Sequence, residues 1–272
     1  MCNACIIDSV RERMLSRRQF FKGAALTAAA GFAASAVAPP ALAQGAARVE
    51  DMTHELHEGF PTFFGEQQFF KDQKFNWNEH KFNLFELRVN EHTGTHMDAP
   101  LHFSENGQSI AELPVGALVT PLCVVDIRAR AAENADAQVT VDDLKAWIAA
   151  NGPIPDNACV AMNSGWAAHV ASDKFRNVGS DQKMHFPGFH IEAAQMLLEE
   201  SSAAGMAVDT LSLDYGISGD FAVHYAWLPA GRWGLENIAN LDAMPAAGAT
   251  LVVGAPKHRG GTGGPARVFA MV

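Results

Sequence analysis

Apolar positions along the chain fall into short runs with two different periods, separated by turn residues. Residues 82–89 alternate apolar and polar side chains for most of their length, which predicts a half-buried strand. Residues 47–54 predict an entry strand, 121–128 and 249–256 two core strands, and 158–162 a short buried one. Residues 207–214 alternate small polar with apolar residues and predict another strand. Helical spacing appears over 140–148. Thr140 and Asp143 form a capping-box pattern there, and Asn151-Gly152-Pro153 ends the run. Residues 191–202 place Ala194, Met196, Leu197 and Leu198 opposite acidic residues, the pattern of a surface helix packed on a sheet. Phe186-Pro187-Gly188-Phe189 reads as a turn. Gly260-Gly261-Thr262-Gly263-Gly264-Pro265 reads as a flexible loop, because it lacks the Lys-Ser/Thr ending of a phosphate-binding loop. Neither an internal repeat nor a heptad run interrupts this pattern.

Composition divides the chain in two. Residues 1–43 carry twin arginines, Arg17-Arg18, followed by Phe20-Phe21-Lys22-Gly23 and an Ala-rich apolar stretch broken by Gly31 and ended by Pro39-Pro40. Ala41-Leu42-Ala43 then offers a cleavage site. This pattern predicts a twin-arginine export signal, a periplasmic or secreted protein, and no stable membrane anchor after cleavage. Cys2 and Cys5 leave with the signal; Cys123 and Cys159 are expected as buried thiols. The net charge is −10 for all 272 residues. The leader holds five Lys/Arg and two Asp/Glu, so the mature chain stands near −13, and nucleic acid is excluded as a partner. Residues 44–272 are long and apolar enough for a single core.

The chemistry concentrates in Glu91-His92-Thr93-Gly94-Thr95-His96-Met97-Asp98-Ala99-Pro100-Leu101-His102-Phe103. Neutral imidazoles and a carboxylate suit zinc or manganese. Gly94 and Pro100 argue against a helix, so the run is expected where a strand passes into a tight loop. Elsewhere, Asp126 reads as a structural cap. Asp209 and Asp214 either accept hydrogen bonds from metal-bound histidines or cap turns. Ser164 has no base nearby in sequence, which argues against a serine nucleophile. Trp166 belongs either to a pocket wall or to the core.

The run resembles the signature of the cyclase family of metal-dependent hydrolases, which includes kynurenine formamidase and isatin hydrolase. Its elements are His, any residue, Gly, a small residue, His, any, Asp, any, Pro, any, His and an aromatic, and each is present here. The resemblance implies a compact α+β fold of β/β/α, swivelling-domain-like type, with a barrel-like sheet region flanked by helices. It implies that His92, His96 and Asp98 bind one metal, that Asp98 bridges to a second held by His224 and Glu236, and that His102 is the general acid/base. His224 and Glu236 are twelve residues apart, as in the family. Phe63 takes the place of a pocket tryptophan, and Phe69, Phe70, Phe75 and Trp77 are candidates for the same wall. The implied reaction is hydrolysis of an amide, cyclic amide or lactone by metal-activated water, with one or two Zn or Mn ions and a homodimer or homotetramer. Export favours a cyclic amide or lactone over arylformamidase activity. The rival class is a non-catalytic exported metal-binding protein, which would use His102 as a further ligand.

Overall fold

The computed structural model describes residues 48–272; the expected export signal with Cys2 and Cys5 lies outside the described residues. In chain order the strands are β1 (Val49–Asp51), β2 (Phe69–Phe75), β3 (Leu84–Val89), β4 (His96–Asp98), β5 (Val119–Asp126), β6 (Gln138–Val139), β7 (Cys159–Asn163), β8 (Gly188–Phe189), β9 (Gly205–Val208), β10 (Trp233–Glu236), β11 (Ala249–Gly254), β12 (Gly263–Pro265) and β13 (Arg267–Met271). The helices are α1 (Trp77–His80), α2 (Arg128–Glu133), α3 (Val141–Asn151), α4 (Ile191–Glu200) and α5 (Ala222–Trp227). No helix among the described residues is long and apolar enough to cross a membrane.

Nine strands form one mixed sheet in the order β1-β13-β11-β5-β7-β9-β10-β4-β12. The run β5-β7-β9-β10 is parallel, and the flanking pairings are antiparallel. Strand periodicity sorts the side chains of β5 into two layers. Cys123 and Val125 join Leu144, Trp147, Ala193 and Leu197 from α3 and α4 in one core, while Leu122 and Val124 join Met97, Leu235, Leu251 and Val268 in another. Every residue of β7 is buried, as a strand covered on both faces must be. Cys123 and Cys159 are free, buried thiols on neighbouring strands, as expected.

The helix at 140–148 forms with its capping box complete: Asp143 N–H donates to Thr140 Oγ1, and Thr140 N–H donates to Asp143 Oδ2 at 2.7 Å. Four expectations change. Gly188 and Phe189, expected in a turn, form the short strand β8 paired with β6. All six residues of β3 are exposed, so its alternation marks a solvated ribbon rather than a half-buried strand. Among the described residues it pairs with β2 alone, and residues Lys71–Leu87 belong to a compact unit separate from residues 48–70 and Arg88–Val272. The strand expected over 207–214 ends at Val208, where small polar residues leave the sheet and bond elsewhere. The glycine-rich segment is not a loose loop, because Gly263–Pro265 is a largely buried strand beside β4.

Candidate metal centre

The centre is built on β4. Residues two apart on a strand share a face, so His96 and Asp98 point together while Met97 enters the core. Asp98 is flanked on both sides by glycine: Gly234 opposes it on β10 and Gly263 on β12. A Cβ at Gly234 would stand 3.2 Å from Asp98 Oδ2, and one at Gly263 would stand 2.6 Å from His92 Cε1. The same register sets Glu236 directly opposite His96. Gly94 (φ +68°) makes the turn that brings His92 back over the strand.

His224 arrives on α5. Asp214 holds that helix start by accepting the N–H groups of Val223 (2.9 Å) and His224 (3.2 Å), and it contacts His224 Nδ1 at 2.6 Å. This settles the two aspartates differently. Asp214 orients His224, whereas Asp209 accepts from Ser164 N–H, Ser164 Oγ–H and Trp166 N–H and so caps the loop after β7. Asp126 caps likewise, accepting from Arg128.

Two groups of atoms that could hold a metal ion result among the described residues, His92/His96/Asp98 and Asp98/His224/Glu236, with the atoms of each group within 4.8 Å of one another. Asp98 divides its oxygens between them. Its Oδ1 lies 2.7 Å from His92 Nδ1 and 3.4 Å from His96 Nε2, while its Oδ2 lies 3.7 Å from His224 Nε2. Glu236 contacts His224 Nε2 at 3.2 Å and His96 Nε2 at 3.3 Å. Yet His96 Nε2 and Asp98 Oδ2 are buried with no hydrogen-bond partner. A buried polar atom left unpaired is costly, and a cation between these lone pairs removes the cost. Charge agrees. Burial lowers the His96 and His224 pKa values, but the negative charge of the neighbouring Asp98 and Glu236 carboxylates and, for His224, the bond to Asp214 outweigh it, so His96 is raised to about 10 and His224 is also raised. The cluster therefore demands positive charge, which protons or a metal ion can supply. The donor set of imidazoles and carboxylates fits a divalent zinc or manganese ion.

His102 is different. Its ring stacks on His92 (centroids 3.7 Å, planes 18° apart) and lies 6.1 Å from His224, but it belongs to neither ligand group. Burial pushes its pKa down to about 4, which leaves the imidazole neutral at neutral pH. A cavity of about 360 Å³ opens over these residues, with Phe63, Phe64, Phe103 and Phe221 as its aromatic wall.

Phe63 lines the cavity. Trp166 does not: it is buried with Phe175, Phe186 and Leu211, and its Nε1–H donates to Phe175 O at 2.9 Å. The indole N–H has a partner inside the core, which is why the ring can stay there. Phe69, Phe70, Phe75 and Trp77 belong to the ribbon and its turn. Phe70 stacks under Arg88, Phe75 packs on Phe82, and Trp77 is exposed. Phe221 and Thr262 escaped the sequence reading as site residues, and Phe103 stood there only as the signature's aromatic, with no place in the wall. Phe221 holds a left-handed backbone (φ +50°) at the start of α5 and packs near Phe63 and Phe103. Thr262 Oγ1 lies 2.9 Å from His92 Nε2.

The Cyclase family model matches residues 50–215. This chain belongs to the Cyclase family. Among curated Cyclase relatives, isatin hydrolase of Roseibium aggregatum is 32% identical over 194 residues, covering 68% of this chain and 73% of that protein. Kynurenine formamidase of Salinibacter ruber is 48% identical over 56 residues, 21% of this chain and 26% of that one. Isatin hydrolase A from Labrenzia aggregata, solved with benzyl benzoate, superposes with a TM-score of 0.78 at 35% identity over 83% of this chain and 93% of that one. An isatin hydrolase bound to the product analogue thioisatinate superposes with a TM-score of 0.77 at 28% identity, covering 83% and 92%. The mixed α+β sheet described above is therefore the Cyclase fold.

Proposed function

We propose that this protein is a metal-dependent hydrolase that opens a cyclic amide of the isatin type. The observation that carries this is the pair of buried, unpartnered atoms, His96 Nε2 and Asp98 Oδ2, beside an imidazole that is not a ligand and an aromatic cavity. His92, His96, Asp98, His224 and Glu236 would hold zinc or manganese, one or two ions with Asp98 shared. A divalent ion in such a site supplies a Lewis acid and an acidified water.

The remaining work falls to the chain's own groups. Phe63, Phe103 and Phe221 bind a flat aromatic substrate and exclude bulk water. A ring nitrogen of neutral His102 takes a proton from water as its oxygen adds to the carbonyl carbon. The C–N bond then breaks, and His102 returns the proton to the leaving nitrogen, giving an amine and a carboxylic acid that releases its remaining proton to solvent. Stacking on His92 fixes the His102 ring plane for both transfers. Arylformamidase activity is the second reading, favoured by the stretch that is 48% identical to a kynurenine formamidase; a lactone would follow the same course with an alcohol leaving. As a non-catalytic metal carrier the protein would use His102 as a ligand, whereas the ring stacks beside the ligand groups.

The reading extends to place and assembly. The twin-arginine pattern supports export to the periplasm or beyond with cleavage near Ala43, leaving one catalytic domain. A homodimer or homotetramer is proposed for the mature form. Hydrolysis of isatin and of N-formylkynurenine, assayed before and after chelation on samples of known metal content, tests the proposal. Chelator-sensitive opening of isatin is the expected result. Metal without turnover of isatin would overturn the substrate class.

A further inference from the structure

The three histidine ligands face the same difficulty. Each imidazole has two nitrogens, and only the one without a proton can bind a metal. For His96 the choice is forced, since Nδ1 lies 2.9 Å from the carbonyl of Gly94 and a carbonyl can only accept. For His224 it is forced by the Asp214 carboxylate on Nδ1. Both therefore offer Nε2. His92 is turned the other way: Nδ1 faces Asp98, and Nε2 faces Thr262 Oγ1 at 2.9 Å. A hydroxyl can donate or accept, so Thr262 alone does not decide which nitrogen of His92 carries the proton.

Glu91 removes the ambiguity. Its Oε2 lies 2.5 Å from Thr262 Oγ1, and the backbone N–H of Thr262 donates to the same carboxylate at 3.2 Å. His258 Nε2 contacts the other oxygen. A carboxylate engaged in this way is an acceptor, so it takes the single hydroxyl proton of Thr262. The hydroxyl lone pair is then left to accept from His92 Nε2–H. The segment does not depend on Glu91 for its position. The Thr262 carbonyl accepts from Ala99 N–H (2.8 Å), the Gly261 carbonyl accepts from Ile110 N–H (2.9 Å), and Gly263 pairs with Asp98 on β4.

We infer that Glu91, acting through the Thr262 hydroxyl, is a positioning residue that fixes His92 as the Nε2–H tautomer and so presents Nδ1 to the metal. This rests on the metal-centre reading above and adds two residues to it. The arrangement also explains why β12 must lie beside β4: it delivers, 170 residues along the chain, the acceptor that His92 needs.

The test is zinc affinity of the full chain, measured by competition with a chromophoric chelator, together with ¹⁵N NMR of histidine-labelled, zinc-loaded protein. Thr262→Val keeps the shape and loses the hydroxyl, and it should weaken zinc binding by about 10–100-fold. Thr262→Ser keeps the hydroxyl and should restore affinity to within about twofold of the wild type. Glu91→Leu leaves the hydroxyl free to donate the wrong way and should cost about tenfold. Thermal melting of the metal-free variants separates this effect from misfolding. The NMR readout needs no variant: His92 should show a metal-bound Nδ1 and a protonated Nε2. Zinc on His92 Nε2, or unchanged affinity in both Thr262→Val and Glu91→Leu, would overturn the inference while leaving the metal centre standing. A wild type that binds no zinc and no manganese would instead overturn the metal centre and this inference with it.

Discussion

Asp98 and Asp209 are both fully buried carboxylates of the same sheet, Asp98 on β4 and Asp209 just past the end of β9, yet they do opposite things. Asp209 is satisfied from within the chain by two backbone N–H groups and a serine hydroxyl. Asp98 has no backbone donor; it faces three imidazoles and keeps one oxygen without a partner. Their acidities diverge accordingly. Burial raises Asp209 to about 6 against its hydrogen bonds, whereas for Asp98 the imidazoles of His224, His92 and His96 overcome burial and hold it well below the usual carboxylate range. Burial alone therefore does not mark a ligand. What marks one is a buried lone pair that the chain leaves unpaired, next to groups that cannot donate without first taking up a proton.

The contrast can be broken most severely at the carboxylates themselves. Asp98→Ala should abolish stoichiometric metal binding and lower hydrolysis by about a thousandfold or more, read by elemental analysis and a rate assay. Asp209→Ala should leave metal content unchanged and instead lower stability by about 1–3 kcal/mol, since it strands three donors. A loss of metal in the second variant would dissolve the distinction. Next in size, Asp214→Asn leaves His224 without a carboxylate partner and should weaken metal binding by about 10–100-fold.

The aromatic residues give a parallel pair. Trp166→Ala should destabilise the fold by about 3–5 kcal/mol and leave KM for isatin unchanged in protein that remains folded. Phe63→Ala should shift the melting temperature little but raise KM by about tenfold, the loss of one wall contact. If the two phenotypes were exchanged, the pocket would be misplaced.

The last contrast is a pH slope. The folded pKa of Asp209 is raised to about 6 from 3.8. A group shifted upward favours the fold only while it is protonated. Its contribution is therefore complete below about pH 3.8 and is lost as pH rises through about 6. Thermal melts of wild type and Asp209→Asn between those limits should converge at neither end in the same way: the wild type loses stability relative to the variant as pH rises. A difference that is flat with pH would mean that Asp209 titrates normally.

How much of this was legible in the chain depended on distance along it. His92, His96, Asp98 and His102 stand within a few residues, so their chemistry is visible as a pattern. His224 and Glu236 are unremarkable alone and became candidates only through the family's twelve-residue spacing. Glu91 and Thr262 lie in two stretches that stand out separately, but nothing in the chain joins them, because their contact is made by β12 lying beside β4 and not by any local rule. Trp166 and Phe63 look alike in sequence, and only the partner of the indole N–H separates core from wall. The alternation of β3 was real, but period alone does not say whether a face is covered.

The measurement that bears most directly on the account is metal content of the full chain and of His102→Ala, after loading with zinc or manganese, with isatin hydrolysis assayed on the same samples. Equal metal in both, and a rate about 10²–10⁴-fold lower in the variant, is the predicted result. Loss of metal together with activity in His102→Ala would place His102 among the ligands and contradict the division of labour between five ligands and one proton carrier.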